Sequence, residues 1–243
     1  MKTLDPKLMP VLEEKYAKYW WPVEYPKDVS SDPFKNLVIT VLSQNTSETN
    51  CVRAYRRLAE RFEVNPKVLA NADLGEIRNA IRSGGLYNIK SKRIKELSKL
   101  VLEEFKGDLA PILALPKEKA KKRLMELPGI GDKTADVLLA SQHGYHEVFV
   151  VDTHIDRIAK RLGLVKETAK YGEIQEAIKH FLPKDERTGG LFWLMAKYTC
   201  RAQTPKCSEC PLRNICDYSK KHSQPPQCQD CSVLKKKISL RVL

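Results

Sequence analysis

A chain of 243 residues with 42% hydrophobic and 30% charged content is long enough to bury one large core or two smaller ones. Its longest apolar runs, "LVITVL" and "EVFVVD", fall far short of the roughly 20 residues a bilayer span needs, and the opening "MKTLDPKLMPVLEEKYAKYW" is charged throughout, so no membrane association is expected and an intracellular setting is. Lys and Arg total 43 against 30 Asp and Glu, a net +13 that suits a polyanionic partner such as nucleic acid, although many basic proteins share that balance.

In chain order the pattern is helical. Phe34, Leu37, Val38, Val41 and Leu42 recur at helical spacing after "SSDPF", where Ser or Asp can cap and Pro33 suits a first turn. Two polar loops follow, "LSQNTSETN" (42–50) and the glycine-bearing start of "SGGLYNIKSKRI". The helix "KEKAKKRLMEL" runs into Pro128, and a second helix is expected from about Asp132. The short apolar "EVFVV" is the one stretch with strand character. Ile155, Ile158, Ala159 and Leu162 form another stripe closed by Gly163, and Ile174, Ala177, Ile178 and Phe181 a third, ended by Pro183. The fold class is all-α. From Ser219 the chain turns polar, with six Lys or Arg against one Asp, and reads as a basic C-terminal extension over 219–243.

Between the two helices lies "LPGIGDK". Gly129 and Gly131 both permit positive φ and leave no Cβ above the backbone, so the unpaired N–H groups of the second helix can meet an anion closely. A plain helical hairpin explains the same residues. Lys133 falls in the first turn of that helix, where the dipole and partial burial disfavour an ammonium and favour a nucleophilic amine. A solvated surface lysine is the plainer reading. Asp152 starts the helix after "VFVV"; it suits an N-cap, and also a carboxylate that activates a nucleophile or stabilises an oxocarbenium ion.

Six of the seven cysteines lie in the last 44 residues. Cys200, Cys207, Cys210 and Cys216 follow the pattern C-x6-C-x2-C-x5-C, which can close round one metal centre; spacing alone leaves zinc and an iron–sulfur cubane open. Cys228 and Cys231 form a further C-x2-C, read as unligated thiols, and Cys51 reads as a core residue.

"LPGIGDKTADVLL" followed by "VDTHIDRIAKRLGL" resembles the helix-hairpin-helix DNA glycosylase superfamily, from about Phe34 to Tyr218, and the lysine at 133 resembles its endonuclease III branch. The cysteine spacing matches the [4Fe–4S] motif of that branch. The resemblance implies two helical domains flanking a DNA cleft: a helical-barrel domain over 27–145 and an iron–sulfur domain combining 1–26 with 146–218. It implies a monomeric, bifunctional DNA glycosylase and AP lyase acting on damaged pyrimidines or abasic sites in double-stranded DNA, with Lys133 as nucleophile and Asp152 assisting. Gly129 and Gly131 would grip a phosphate, and Arg201 and Lys206, in the first cysteine arm, would contact DNA. Leu86 would act as an apolar wedge, while Gln44 and Asn45 would fill the gap left by the flipped base. The segment around Gln44 departs from the "SAQAT" of endonuclease III proper, placing Asn45 where that glutamine sits. The alternatives are a monofunctional glycosylase acting on T:G or U:G mismatches and a non-catalytic DNA-binding module.

Overall fold

The computed structural model describes residues 2–20, 24–144 and 147–222. Helices α1 (Met9–Tyr16), α2 (Lys27–Ser31), α3 (Pro33–Ser43), α4 (Glu48–Arg61), α5 (Pro66–Asn71), α6 (Leu74–Ala80) and α7 (Tyr87–Phe105) make up the first half. They are followed by α8 (Ala110–Leu113), α9 (Lys117–Met125), α10 (Asp132–His143), α11 (Thr153–Leu162), α12 (Tyr171–Phe181), α13 (Glu186–Tyr198) and α14 (Asp217–His222). No strand occurs among the described residues, and no helix among them is long and apolar enough to cross a membrane.

Asp32 caps α3 through one carboxylate oxygen, which accepts from the N–H groups of Phe34 and Lys35 at 2.9 and 3.1 Å, and Pro33 occupies the first turn. The sequence stripe is buried as expected, but so are Asn36, Ile39 and Thr40. The helix is therefore central rather than amphipathic, packed against α2, α4, α7 and α10. The Thr40 hydroxyl donates to the Asn36 carbonyl at 2.7 Å, which satisfies a polar group inside that core.

Two apolar cores result. One gathers side chains from Val29 to Val148; the other combines Leu4, Leu12 and Tyr16 with Phe149 to Cys216. The N-terminal segment joins the second core through a bond from the Leu4 N–H to the Phe181 carbonyl at 2.8 Å and a 2.6 Å hydrogen bond between the Tyr16 and Thr199 hydroxyls. Buried side chains of "EVFVV" divide between them, Val148 in the first core and Phe149 and Val151 in the second. This apolar run is an extended connector, not a strand, and its hydrophobicity comes from burial on two sides.

The basic extension begins later than Ser219. Helix α14 runs through Ser219 to His222, with Ser219 buried and Asp217 paired to Lys2 at 2.7 Å. The remainder of the tail, with Cys228 and Cys231, lies outside the described residues.

Candidate active site

The hairpin between α9 and α10 is shaped by one glycine and left open by the other. Gly129 has φ +76°, and a Cβ there would lie 2.3 Å from Arg93 Nε, so both conformation and space demand glycine. Gly131 has φ −105° and ψ −176°, an ordinary extended conformation, and a Cβ there would meet nothing within 4 Å. Of the two glycines that permit positive φ, only Gly129 uses it. The missing side chain of Gly131 instead leaves clear space over the start of α10, whose first N–H groups receive no side-chain cap.

Lys133 follows in that first turn. Its side chain is exposed and makes no hydrogen bond or ion pair with a described residue, so the partial burial expected from sequence is not found. Its acidic neighbour faces elsewhere: Asp132 pairs with Lys121 at 3.0 Å. Lys121 also reaches Asp136 at 3.0 Å and lies 5.0 Å from the centre of the Tyr171 ring. Asp136 is 2% exposed, and its Oδ2 also accepts from the Tyr171 hydroxyl at 2.7 Å and from Gln175 Nε2 at 2.8 Å. The Tyr171 oxygen in turn accepts from the Val151 N–H at 3.2 Å, and Gln175 Nε2 donates to the Phe149 carbonyl at 2.5 Å. One buried carboxylate on the helix of Lys133 thereby anchors the segment that leads into Asp152.

Asp152 is the N-cap of α11. Its Oδ1 accepts from the N–H groups of His154 and Ile155, each at 2.9 Å, and its Oδ2 accepts from Trp193 Nε1 at 2.7 Å. Three of roughly four lone-pair directions are filled, all by N–H donors. The Trp193 ring meets His154 edge-on with centroids 5.9 Å apart and carries Lys197 Nζ 4.5 Å above it. Lys197 pairs with Glu48 at 3.1 Å, joining α13 to the start of α4. Burial, more than any other cause, pulls His154 below the usual imidazole range; the charges of Arg157, Lys197 and Lys133 act in the same direction and Asp152 opposes them. His154 therefore lies within electrostatic reach of both Lys133 and Asp152.

The two polar loops differ in how they are held. Gln44 is internally engaged: Arg93 donates to its Oε1 at 2.6 Å, and its Nε2 donates to Thr134 Oγ1 at 3.4 Å. Asn45 is exposed, with φ +51°. Leu86 has φ +47° and is 50% exposed, and Ile89, one turn on, is 56% exposed. Beneath both loops lies Lys90, only 2% exposed, whose Nζ donates to the carbonyls of Leu42 at 2.6 Å and Gly84 at 2.8 Å. Burial lowers the pKa of this lysine below its ordinary value.

Residues 38–184 match the family profile of the HhH-GPD superfamily base excision DNA repair proteins, more than half of the chain. The chain belongs to this superfamily. Endonuclease III of Thermotoga maritima is 34% identical over 197 residues, which is 80% of this chain and 87% of that protein. A non-covalent endonuclease III–DNA complex superposes with a TM-score of 0.68 at 29% identity, over 92% of this chain and 100% of that one. A trapped endonuclease III–DNA covalent intermediate gives 0.69 at 28% identity, over 91% and 100%.

In this HhH-GPD protein the cysteine arm is tied to α11 by two arginines. Arg157 Nε donates to the Cys200 carbonyl at 2.7 Å; Arg161 donates to the carbonyls of Arg201 at 2.7 Å and Ala202 at 3.0 Å and approaches Cys200 Sγ at 3.5 Å. Arg201 and Lys206 are exposed, the latter 3.9 Å from Glu209. Burial pushes the Cys210 thiol up to about 11, with Cys200, Cys216 and Cys207 adding to the rise, and Cys216 Sγ donates to the Arg161 carbonyl at 3.3 Å. No group of three or more His, Cys, Asp or Glu among the described residues is arranged to hold a metal ion.

Sequence reasoning missed Trp193, Arg93, Lys90 and Asp136. Lys90 left a signal: with Ile94, Leu97 and Val101 it completes a buried helical stripe, an odd place for a lysine. Asp136 left a similar one, falling between Ala135 and Leu138 on a buried face. Nothing local announced Trp193, whose partner is 41 residues away.

Proposed function

We propose that this chain is a bifunctional DNA glycosylase and AP lyase of base excision repair, acting on oxidised pyrimidines and abasic sites in double-stranded DNA and nicking the strand by β-elimination. The observation that carries the reading is an unpartnered lysine on an open, uncapped helix turn, with a carboxylate fixed by three N–H donors on the next helix. The deoxyribose phosphates flanking a flipped nucleotide suit the α10 N-terminus over Gly131.

The Lys133 amine attacks C1′ with its lone pair, and the glycosidic bond breaks, the base leaving with the bonding electrons. Positive charge that develops on the sugar is met by the Asp152 carboxylate, preorganised by its donors so that little reorganises during the step. The sugar ring then opens, giving a protonated Schiff base between Lys133 and C1′. Loss of a C2′ proton expels the 3′ phosphate, and hydrolysis returns the free lysine. With its lone pairs occupied, Asp152 acts chiefly as a fixed charge and less as a proton acceptor.

Asn45 is the residue of the first loop that is free to enter the duplex, since Gln44 is bonded on both ends of its amide; Leu86 presents the apolar wedge from the second. Arg201 and Lys206 supply phosphate contacts. The two domains, 27–145 and 1–26 with 146–218, correspond to the two cores except at the connector, where Val148 packs into the first. Cys200, Cys207, Cys210 and Cys216 would hold a [4Fe–4S] cluster. The donor set supports it: four cysteines at C-x6-C-x2-C-x5-C, with the sulfurs of Cys200 and Cys216 both against Arg161, offer the four thiolates a cubane needs. Such a cluster would supply cross-linking of the arm, with no part in base release. Action on genomic DNA places the protein inside the cell, as a monomer on its duplex.

The test is a single-turnover reaction on a duplex carrying one thymine glycol. Base release and strand nicking at matched rates, both lost in Lys133→Gln, are expected. Base release without nicking would point to a monofunctional glycosylase instead.

A further inference from the structure

We infer that Trp193 is the positioning residue of Asp152: its indole N–H sets the orientation of Oδ2, the carboxylate oxygen left outside the main-chain cap. The inference rests on the role of Asp152 given above. The two donors on Oδ1 are main-chain N–H groups that come with the α11 cap, so they hold that oxygen whatever the side chains around it. Among the described residues Oδ2 has a single donor, the 2.7 Å bond from Trp193 Nε1, a short contact for a neutral donor on a charged acceptor. Without it the carboxylate is held at one oxygen only, and coupled changes in χ1 and χ2 can re-aim Oδ2 while Oδ1 stays in the cap.

The indole is itself held from three sides. Its chain position on α13 packs against α11, its edge contact with His154 fixes the ring plane, and Lys197 lies over its face, anchored by Glu48. A rigid ring carrying one aimed N–H is what orientation of a carboxylate requires, and a half-buried tryptophan is stable in a protein when that N–H has a partner. Trp193 acts through Asp152, to which its N–H is bonded. Base release, which places positive charge on the sugar, depends on Oδ2. Elimination from an abasic site that already exists as an open aldehyde does not pass through that charge, so it depends on Oδ2 less.

The experiment compares wild type, Trp193→Phe and Trp193→His at pH 8. Phenylalanine keeps a ring for His154 and Lys197 but has no donor. Histidine drops the benzo ring yet carries an Nε2–H at the same position of the five-membered ring as the indole Nε1–H. Three readouts are taken: affinity for a duplex with a tetrahydrofuran abasic analogue, single-turnover release of thymine glycol, and single-turnover nicking at a preformed abasic site. Trp193→Phe is expected to bind within about twofold of wild type, to release base roughly ten- to hundredfold more slowly, and to lose distinctly less in nicking. Trp193→His is expected to release base faster than Trp193→Phe. The inference is overturned if Trp193→Phe releases base at the wild-type rate, if both variants lose alike, or if release and nicking fall together. Asp152→Asn is run beside them: wild-type base release by that variant would sink the role of Asp152 itself, which separates that failure from a failure confined to Trp193.

Discussion

Lys133 and Asp152 are held in opposite ways. The lysine is exposed and has no partner among the described residues, and the acids on its own helix, Asp132 and Asp136, are both occupied by Lys121. The carboxylate, by contrast, has both oxygens bonded, two main-chain donors on one and an indole on the other. Ordering a free lysine side chain costs about 2 kcal/mol, a cost deferred until a substrate is present. A carboxylate already fixed pays no such cost when charge develops beside it. The fold thus immobilises the proposed electrostatic partner and leaves the proposed nucleophile free to follow a flipped sugar.

The sharpest way to break this contrast is to cut the tie between its two halves. Asp136→Ala leaves Lys121, Tyr171 and Gln175 facing an emptied, buried acceptor, and a loss of about 3–5 kcal/mol in denaturant unfolding is expected. Asp152→Asn tests the fixed half alone. Asparagine caps a helix about as well as aspartate, so α11 should persist, while base release in single turnover should fall roughly 10²–10³-fold. Gly129→Ala perturbs the mobile half by straining a +76° φ and displacing Arg93 from its place beside Gln44. A stability loss of about 1–2 kcal/mol is expected, with weaker binding to an abasic-analogue duplex. The smallest effects belong to the rim. Arg201→Ala and Lys206→Ala should each reduce the slope of log K against log salt by about 0.9, leaving the excision rate of bound complexes unchanged.

The fold was largely legible, because apolar residues at helical spacing place their own burial. The stripe at Ile155, Ile158, Ala159 and Leu162, for example, needs no knowledge of its neighbours. Where the pattern misled, tertiary surroundings decided: α3 is buried all round because four helices enclose it, and "EVFVV" spans two cores instead of pairing in a sheet. Within the candidate site, Lys133 and Asp152 stand out as candidates from short motifs. Their surroundings do not. The exposure of Lys133 follows from how Lys121 claims Asp132, and the orientation of Asp152 follows from an indole on α13, contacts that no local spacing encodes. The different fates of Gln44 and Asn45 likewise depend on Arg93, 49 residues beyond Gln44.

The central claim is that the free amine of Lys133 is the nucleophile. Borohydride reduction of the protein with a duplex carrying one abasic site, followed by peptide mass mapping of the adduct, tests it most directly. A single cross-link on the peptide containing Lys133 is the predicted result. An adduct on another lysine, such as Lys90 or Lys197, or no adduct from protein that binds the duplex, would contradict it.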